Sequence, residues 1–259
     1  PQCHVMWHRV APLLAARHTV VCPDLRGYGA SAKPPGDPEH RTYAKRASAG
    51  DLVELADALG FSRFAVAGHD RGGRVAHRLA LDHPERVEKL AVLDIVPTRT
   101  VFAATDRELA LGYFHWFFLA QPAPLPEQMI GADPDLWLET LLARWSGTHD
   151  LAPFAGPPLD AYRAAFRDPA TIHASCEDYR AAATIDLEHD EADADRRIAC
   201  PLLVLWGEKG LMHRRFDVLA TWREKAAGPV EGGALPCGHF LPEEMPEATA
   251  SALERFFAG

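Results

Sequence analysis

The junction around Gly68-His69-Asp70-Arg71-Gly72 limits most strictly what this chain can fold into. An apolar run, Phe64-Ala65-Val66-Ala67, precedes it, and a segment with helical spacing over residues 73–82 follows it. A Gly-x-nucleophile-x-Gly pentapeptide between a strand and a helix builds a nucleophile elbow. Its glycines permit a sharp turn, and the central side chain stands free at the top of the sheet. Here the central residue is Asp70, where serine is usual. A carboxylate in that position attacks a carbon that carries a leaving group and forms an alkyl ester, not the acyl-enzyme of an esterase. The competing reading of the pentapeptide alone is an ordinary strand-to-helix turn.

Around this junction, short apolar β-branched runs alternate with helix-period segments. Strands are predicted over residues 18–22, 64–67, 89–93 and 202–206 and near Val230. Helices are predicted over 5–16, 44–59 (Leu52, Leu55 and Leu59 on one face), 73–82, 216–226 and 247–257. This alternation predicts a mostly parallel sheet with helices on both faces, whose ligand sites lie at the carboxyl ends of the strands. The middle of the chain lacks β-branched runs and is rich in Trp, Phe, His, Ala and Pro. It reads as helices over 105–120, 134–145, 159–166 and 172–184, with Pro122, Pro124, Pro126, Pro153, Pro157 and Pro158 marking loops. The expected organisation is therefore an α/β core, 1–97 and 196–259, with a helical cap, 98–195, inserted over its active edge. The chain opens on Pro1-Gln2 and runs at once into a helical pattern, where a doubly wound sheet has strands. The expectation is that the first strands and a loop are missing.

Composition narrows the class. With 259 residues, 47% hydrophobic and 24% charged, the chain is long enough for one large core with an insertion. No apolar run is long enough for a membrane span, and no leader pattern is visible. A net charge of -9 argues against a general nucleic-acid role. Five scattered cysteines show neither C-x-x-C nor metal spacing, and read as reduced thiols of a cytoplasmic protein. No metal and no cofactor is expected.

A nucleophilic aspartate needs a base to hydrolyse its ester, and a positioned base contributes roughly 10²–10⁴-fold. His239 lies between the last short strand and the final helix, where this architecture carries a histidine. The imidazole in turn needs an acid to set its tautomer. Asp94, directly after the strand ending at Leu93, is favoured over Glu208 in the loop Gly207-Glu208-Lys209-Gly210. Arg71 and Arg74 follow the nucleophile. Cations at a helix N-terminus oppose the dipole, and a guanidinium fork suits a carboxylate, so the pair suggests an anionic substrate. Read as ordinary residues, both would be exposed helix-start side chains.

Four motifs together resemble the haloacetate (fluoroacetate) dehalogenases of the α/β-hydrolase fold. They are Gly68-His-Asp-Arg-Gly-Gly-Arg74, Asp24-Leu-Arg-Gly-Tyr-Gly-Ala-Ser31, Leu93-Asp-Ile-Val-Pro-Thr98 and Gly238-His-Phe-Leu-Pro-Glu-Glu244. The likeness covers nearly the whole chain, including Thr184-Ile-Asp-Leu-Glu-His-Asp190 where the cap returns to the core. The resemblance implies Asp70 as nucleophile, His239 as base, Asp94 as its orienting acid, and Arg71 and Arg74 as holders of the substrate carboxylate. It also implies a halide site made by His115, Trp116 and Tyr179, which without it would be unremarkable cap residues. The implied reaction is hydrolytic dehalogenation of short 2-haloacids through an aspartyl ester, in a homodimer. Of the family's His-Gly-x-Pro-Gln loop only Pro1-Gln2 stands here, which leaves the Arg71 N–H as the oxyanion donor. Two rival functions remain at this point: an epoxide hydrolase using the same Asp70 with Tyr113, Tyr162 or Tyr179 as cap acids, and a silent hydrolase-like binding protein.

Overall fold

The computed structural model describes residues 2–259. Four strands, β1 (Phe64–His69), β2 (Val87–Leu93), β3 (Leu202–Gly207) and β4 (Val230–Leu235), form one sheet in that spatial order. All three pairings are parallel. The alternation of side chains along β2 and β3 explains why both faces are covered. Leu90, Val92, Leu202 and Val204 join one cluster with Val75, Leu79 and Trp222. Ala91, Leu93, Leu203 and Leu205 join another with Leu253 and Phe256 of the last helix, Pro246–Ala258. Each strand thus buries its odd and even residues against different helices, as a fully enclosed parallel sheet requires.

Register decides where the chemistry goes. His69 pairs with Leu93, and Leu93 with Leu205, so β1, β2 and β3 end at nearly one level. The Asp94 N–H donates to Leu205 O (2.7 Å) and the Asp70 N–H to Leu93 O (3.2 Å). The two carboxylates therefore leave the sheet side by side at its carboxyl edge.

Several local expectations are corrected. Residues 18–22 form no strand; together with β1 they line a cavity of about 530 Å³. Leu52, Leu55 and Leu59 of the Lys45–Ala58 region border that cavity; Leu52 also packs against the core, whereas Leu55 and Leu59 are exposed. The expected helix over 5–16 is a 3-10 turn, His4–Trp7, followed by a short helix, Ala11–Leu14. The expected 105–120 helix breaks at Tyr113 into Arg107–Gly112 and Phe114–Leu119. Pro126, Pro157 and Pro158 start helices, Leu125–Ala132 and Pro157–Phe166, instead of marking loops. A first-turn proline loses no hydrogen bond, because the N–H it lacks has no intrahelical partner. The 216–226 helix is shorter, Val218–Arg223, and is preceded by Leu211–Arg215.

The elbow itself rests on Gly68. A Cβ there would stand 2.4 Å from Gly72 O, so the Arg71–Asp82 helix could not start so close to β1. A Cβ on Gly72 meets nothing within 4 Å. Asp70 takes the strain of the turn, with φ 44°. Gly68→Ala is expected to lower the unfolding free energy by about 1–3 kcal/mol, the usual cost of forcing atoms into a packed site, readable as a fall in the thermal midpoint.

Candidate active site

Asp70 sits between β1 and its helix in a backbone conformation that a non-glycine residue rarely adopts, and Asp94 does likewise with φ 53°. Such strain persists where surrounding structure imposes it, and it clusters at functional sites. His239 follows β4 in the loop before the Leu241–Glu244 turn of helix. Its Nδ1 lies 2.5 Å from Asp94 Oδ2, while Asp94 Oδ1 accepts from the Gly207 N–H at 2.9 Å. Its Nε2 lies 3.7 Å from Asp70 Oδ2. That gap is beyond a direct hydrogen bond, so the two form an ion pair. Asp70 keeps 24% of its side-chain area accessible, His239 11% and Asp94 1%. Asp70 is reachable and Asp94 is sealed. Of the two acids weighed for the imidazole, the structure places Asp94 against it, whereas Glu208 is exposed.

The charges are mutually set. Burial pushes the Asp70 carboxyl up, but the His239 imidazole and the Arg74 and Arg71 guanidiniums outweigh it and hold the group well below the ordinary carboxylate range. Burial pushes His239 down, but the Asp70 and Asp94 carboxylates prevail and raise it to about 10. Next to it, His69 is lowered to about 3 by burial and by the His239 charge; its Nε2 lies 2.7 Å from His239 O, placing a neutral ring under the base.

The two arginines are not exposed helix-start residues; both are buried. Nor does Arg71 offer a free fork. Its Nε donates to Asp178 Oδ2 (2.6 Å) and its Nη2 to Asp178 Oδ1 (2.8 Å) and Asp178 O (2.9 Å), leaving Nη1 buried with no partner. Arg74 Nη1 donates to Val96 O (3.0 Å) and Thr98 Oγ1 (3.1 Å), leaving Nε without a partner. His115, Trp116 and Tyr179 do come together: the His115 and Tyr179 rings are 5.5 Å apart and those of Trp116 and Tyr179 6.0 Å. His115 Nδ1 is also buried without a partner, and burial holds that imidazole neutral. Unpaired buried polar atoms are rare, and Arg71 Nη1, Arg74 Nε and His115 Nδ1 are three of them.

A cavity of about 140 Å³ opens over Asp70, lined among others by Asp94, His115, Trp116, Trp145 and His239. Drug-sized sites run to roughly 300–1,000 Å³, so this one suits a small molecule. Its rim carries Arg144, Lys209 and Arg214, all exposed, and none forms an ion pair among the described residues. Asp70 and His239 also border the larger cavity beneath.

Four supporting residues were not legible in the motifs. The Trp145 carbonyl accepts from the His239 N–H at 2.9 Å. Glu244 accepts from the Gly238, Phe240 and Gly147 N–H groups at 2.9, 3.0 and 2.7 Å, tying the histidine loop to the helical segment above it. His69 and Asp178 act as described above. His69 and Glu244 lay inside recognised motifs, but nothing in the sequence told what their side chains would contact. Away from the site, Cys3, His4 and Asp24 place one ligand atom each within 4.8 Å of one another. There Asp24 Oδ2 already accepts from the Ala30 N–H.

A parallel sheet presenting a strained carboxylate, an imidazole and a second carboxylate at its carboxyl edge defines a hydrolase that works by covalent catalysis from an elbow. The comparisons agree. Residues 1–246 match the family model described as alpha/beta hydrolase fold, and the chain belongs to that family. It is 51% identical over 258 residues to a fluoroacetate dehalogenase of Burkholderia sp, covering 100% of this chain and 84% of that one. It is 34% identical over 262 residues to a soluble epoxide hydrolase of Corynebacterium sp. (strain C12), covering 100% of this chain and 87% of that one. A crystal structure from Nostoc sp PCC 7120, assigned to the alpha/beta hydrolases, superposes with a TM-score of 0.97 at 58% identity, over 99% of this chain and 87% of that chain.

The raised His239 value has a measurable consequence. A folded-state value near 10 against an ordinary 6.5 contributes stability that is complete below about pH 6.5 and lost as pH climbs through about 10. The alkaline fall in the thermal midpoint is expected to be shallower in His239→Gln than in the parent, as read by calorimetry between pH 6 and about 10.

Proposed function

We propose that the protein is a hydrolytic dehalogenase that cleaves the carbon–halogen bond of short 2-haloacids of the fluoroacetate and chloroacetate type. The observation that carries this reading is an ionised Asp70 that faces a small cavity together with His115 and feels the buried guanidiniums of Arg74 and Arg71, whose Nε and Nη1 have no partner; Arg71 itself borders the larger cavity. An acyl-transfer enzyme has no use for cations that engage a substrate carboxylate beside a carboxylate nucleophile. Residues 98–195 serve as the cap and 1–97 with 196–259 as the core.

In the first half-reaction an Asp70 Oδ attacks the α-carbon, and the C–X bond breaks with its electron pair leaving on the halide. The guanidinium nitrogens hold the substrate carboxylate. His115, Trp116 and Tyr179 receive the halide as its charge develops, which is where fixed donors lower a barrier most. In the second half-reaction water loses a proton to His239 Nε2 and attacks Asp70 Cγ. The ester bond breaks, the 2-hydroxy acid leaves and the carboxylate is restored. The balance is haloacid plus water giving hydroxy acid, halide and a proton.

The charge coupling sets the timing. While Asp70 is anionic it keeps His239 protonated. Esterification removes that negative charge, and both Asp70 contributions that raise His239 vanish. The imidazolium then yields its proton to solvent, and the neutral ring can take a proton from the attacking water. Asp94, hydrogen-bonded at Nδ1, orients the ring and stabilises the imidazolium that forms.

Halide release from chloroacetate and fluoroacetate, read with an ion-selective electrode, is the direct test; none with either acid overturns the reading. Asp70→Asn is expected to release no halide. His239→Gln is expected to release one equivalent and stop, with the carboxymethyl group found on Asp70 by mass spectrometry. In heavy-oxygen water, repeated turnover is expected to place label in the Asp70 side chain.

The epoxide hydrolase reading keeps one observation in its favour: Tyr113 lines the same cavity as Asp70 and could protonate an epoxide oxygen. Arg71→Ala separates the two, since it is expected to abolish haloacid turnover and to spare that of a neutral epoxide. No described helix is long and apolar enough to cross a membrane. The five cysteines are free thiols, which supports the cytoplasmic setting, and the family resemblance supports a homodimer.

A further inference from the structure

We propose that Asp178 is a positioning residue that aims a single nitrogen of Arg71 at the substrate carboxylate, with Lys45 and Tyr28 holding Asp178 in place. This rests on the reading of Arg71 as a carboxylate holder.

The geometry is that of a two-sided clamp supplied by consecutive residues of the Pro169–Ala183 helix. Asp178 takes the edge of the guanidinium through Nε and Nη2. Tyr179 takes its face, with the Arg71 Cζ 4.2 Å from the ring centroid. Neighbouring side chains on a helix point about 100° apart, so one can meet the edge of a planar group while the next meets its face. Of the guanidinium's five N–H donors, Asp178 takes three, one on Nε and two on Nη2, and the two on Nη1 have no partner. The clamp thus converts a fork that could swing into one directed donor.

A buried carboxylate on Arg71 alone would cancel the charge that the substrate must feel. The structure answers with Lys45, whose Nζ also bonds Asp178 Oδ1. Tyr28 OH donates to Asp178 Oδ2 at 2.7 Å. Lys45 is in turn held by Asp186, through its Nζ at 3.1 Å and its backbone N–H at 2.8 Å. Arg71, Lys45 and Asp178 together carry one net positive charge, which Asp186 balances through its contact with Lys45. All four are nearly sealed, at 7, 5, 5 and 4% exposure. Arg71 comes from the elbow helix, whereas Asp178 comes from the helical segment above. The donor is therefore aimed only when that segment is seated on the sheet.

The test uses the purified chain and two readouts: calorimetric Kd for glycolate, a small carboxylate that needs no turnover, and KM and kcat for chloroacetate. Asp178→Asn is expected to raise both Kd and KM about 10–100-fold, the worth of one well-aimed charged hydrogen bond, with kcat reduced less than about 3-fold, the pattern of lost uniform binding. In an Arg71→Met background the same change is expected to add less than about 2-fold, since its effect runs through Arg71. A folded Asp178→Asn with Kd within about 2-fold of the parent overturns the proposal, as does an equal loss in the Arg71→Met background. Should Asp178→Asn fail to fold, Tyr28→Phe, which removes one oxygen, is expected to raise Kd about 3–10-fold; an unchanged Kd overturns the proposal. A parent protein that binds glycolate but frees no halide removes the dehalogenase reading and leaves the clamp to be judged on Kd. A parent that does not bind glycolate removes the clamp.

Discussion

The structure depends on burying many charges at one sheet edge, most of them in pairs of opposite sign. An isolated charge in a protein interior costs several kcal/mol, and it is tolerated only when paired and hydrogen-bonded. Here two chains of alternating sign meet that demand. Asp94, His239 and Asp70 form one, and Asp186, Lys45, Asp178 and Arg71 the other. They approach each other at the elbow, where Asp70 and Arg71 are consecutive residues. Each chain ends in a group whose demand its neighbours do not fully satisfy: the half-reachable Asp70 carboxylate and the unpartnered Arg71 Nη1. The unsatisfied ends are where an incoming substrate completes the pairing.

The fold makes this burial possible through register and strain. Because β1, β2 and β3 end together, residues that leave them at once are brought within reach of one another. Asp70 and Asp94 both adopt positive φ immediately after a strand. Each therefore turns away from the sheet instead of continuing along it, and the hydrogen bonds from Asp70 N–H and Asp94 N–H to the neighbouring strand keep the strained residues in place. The helical segment then closes the edge. Through Trp145 and Gly147 it grips the histidine loop, and through Asp178 and Tyr179 it grips Arg71. Asp70, His239 and Arg71 are thus positioned from both layers.

Sequence patterns carried the elements unevenly. The elbow, β2, β3, β4 and the last helix were legible because each depends on local propensity and on an apolar period that packing then uses. Residues 18–22 have the composition of a strand but form none, since a strand is defined by its neighbour and these residues line a cavity instead. The break at Tyr113 was invisible because its surroundings are uniformly helix-forming, and the prolines misled because a proline opens a helix as readily as it ends one.

The amino-acid sequence by itself determined that a carboxylate stands on an elbow between a strand and a helix, that a histidine follows the last strand, and that two arginines begin the elbow helix. These follow from short-range spacing, which the chain carries in one dimension. Only the tertiary structure decided that Asp94 and not Glu208 meets the imidazole, and that Arg71 presents one nitrogen because Asp178 occupies the others. It also decided that Glu244 ties two layers together through backbone N–H groups. Those outcomes join residues as many as 145 positions apart, as His239 and Asp94 are. Their pairing is set by strand register and by the need to neutralise each buried charge, neither of which is written in any local run of residues.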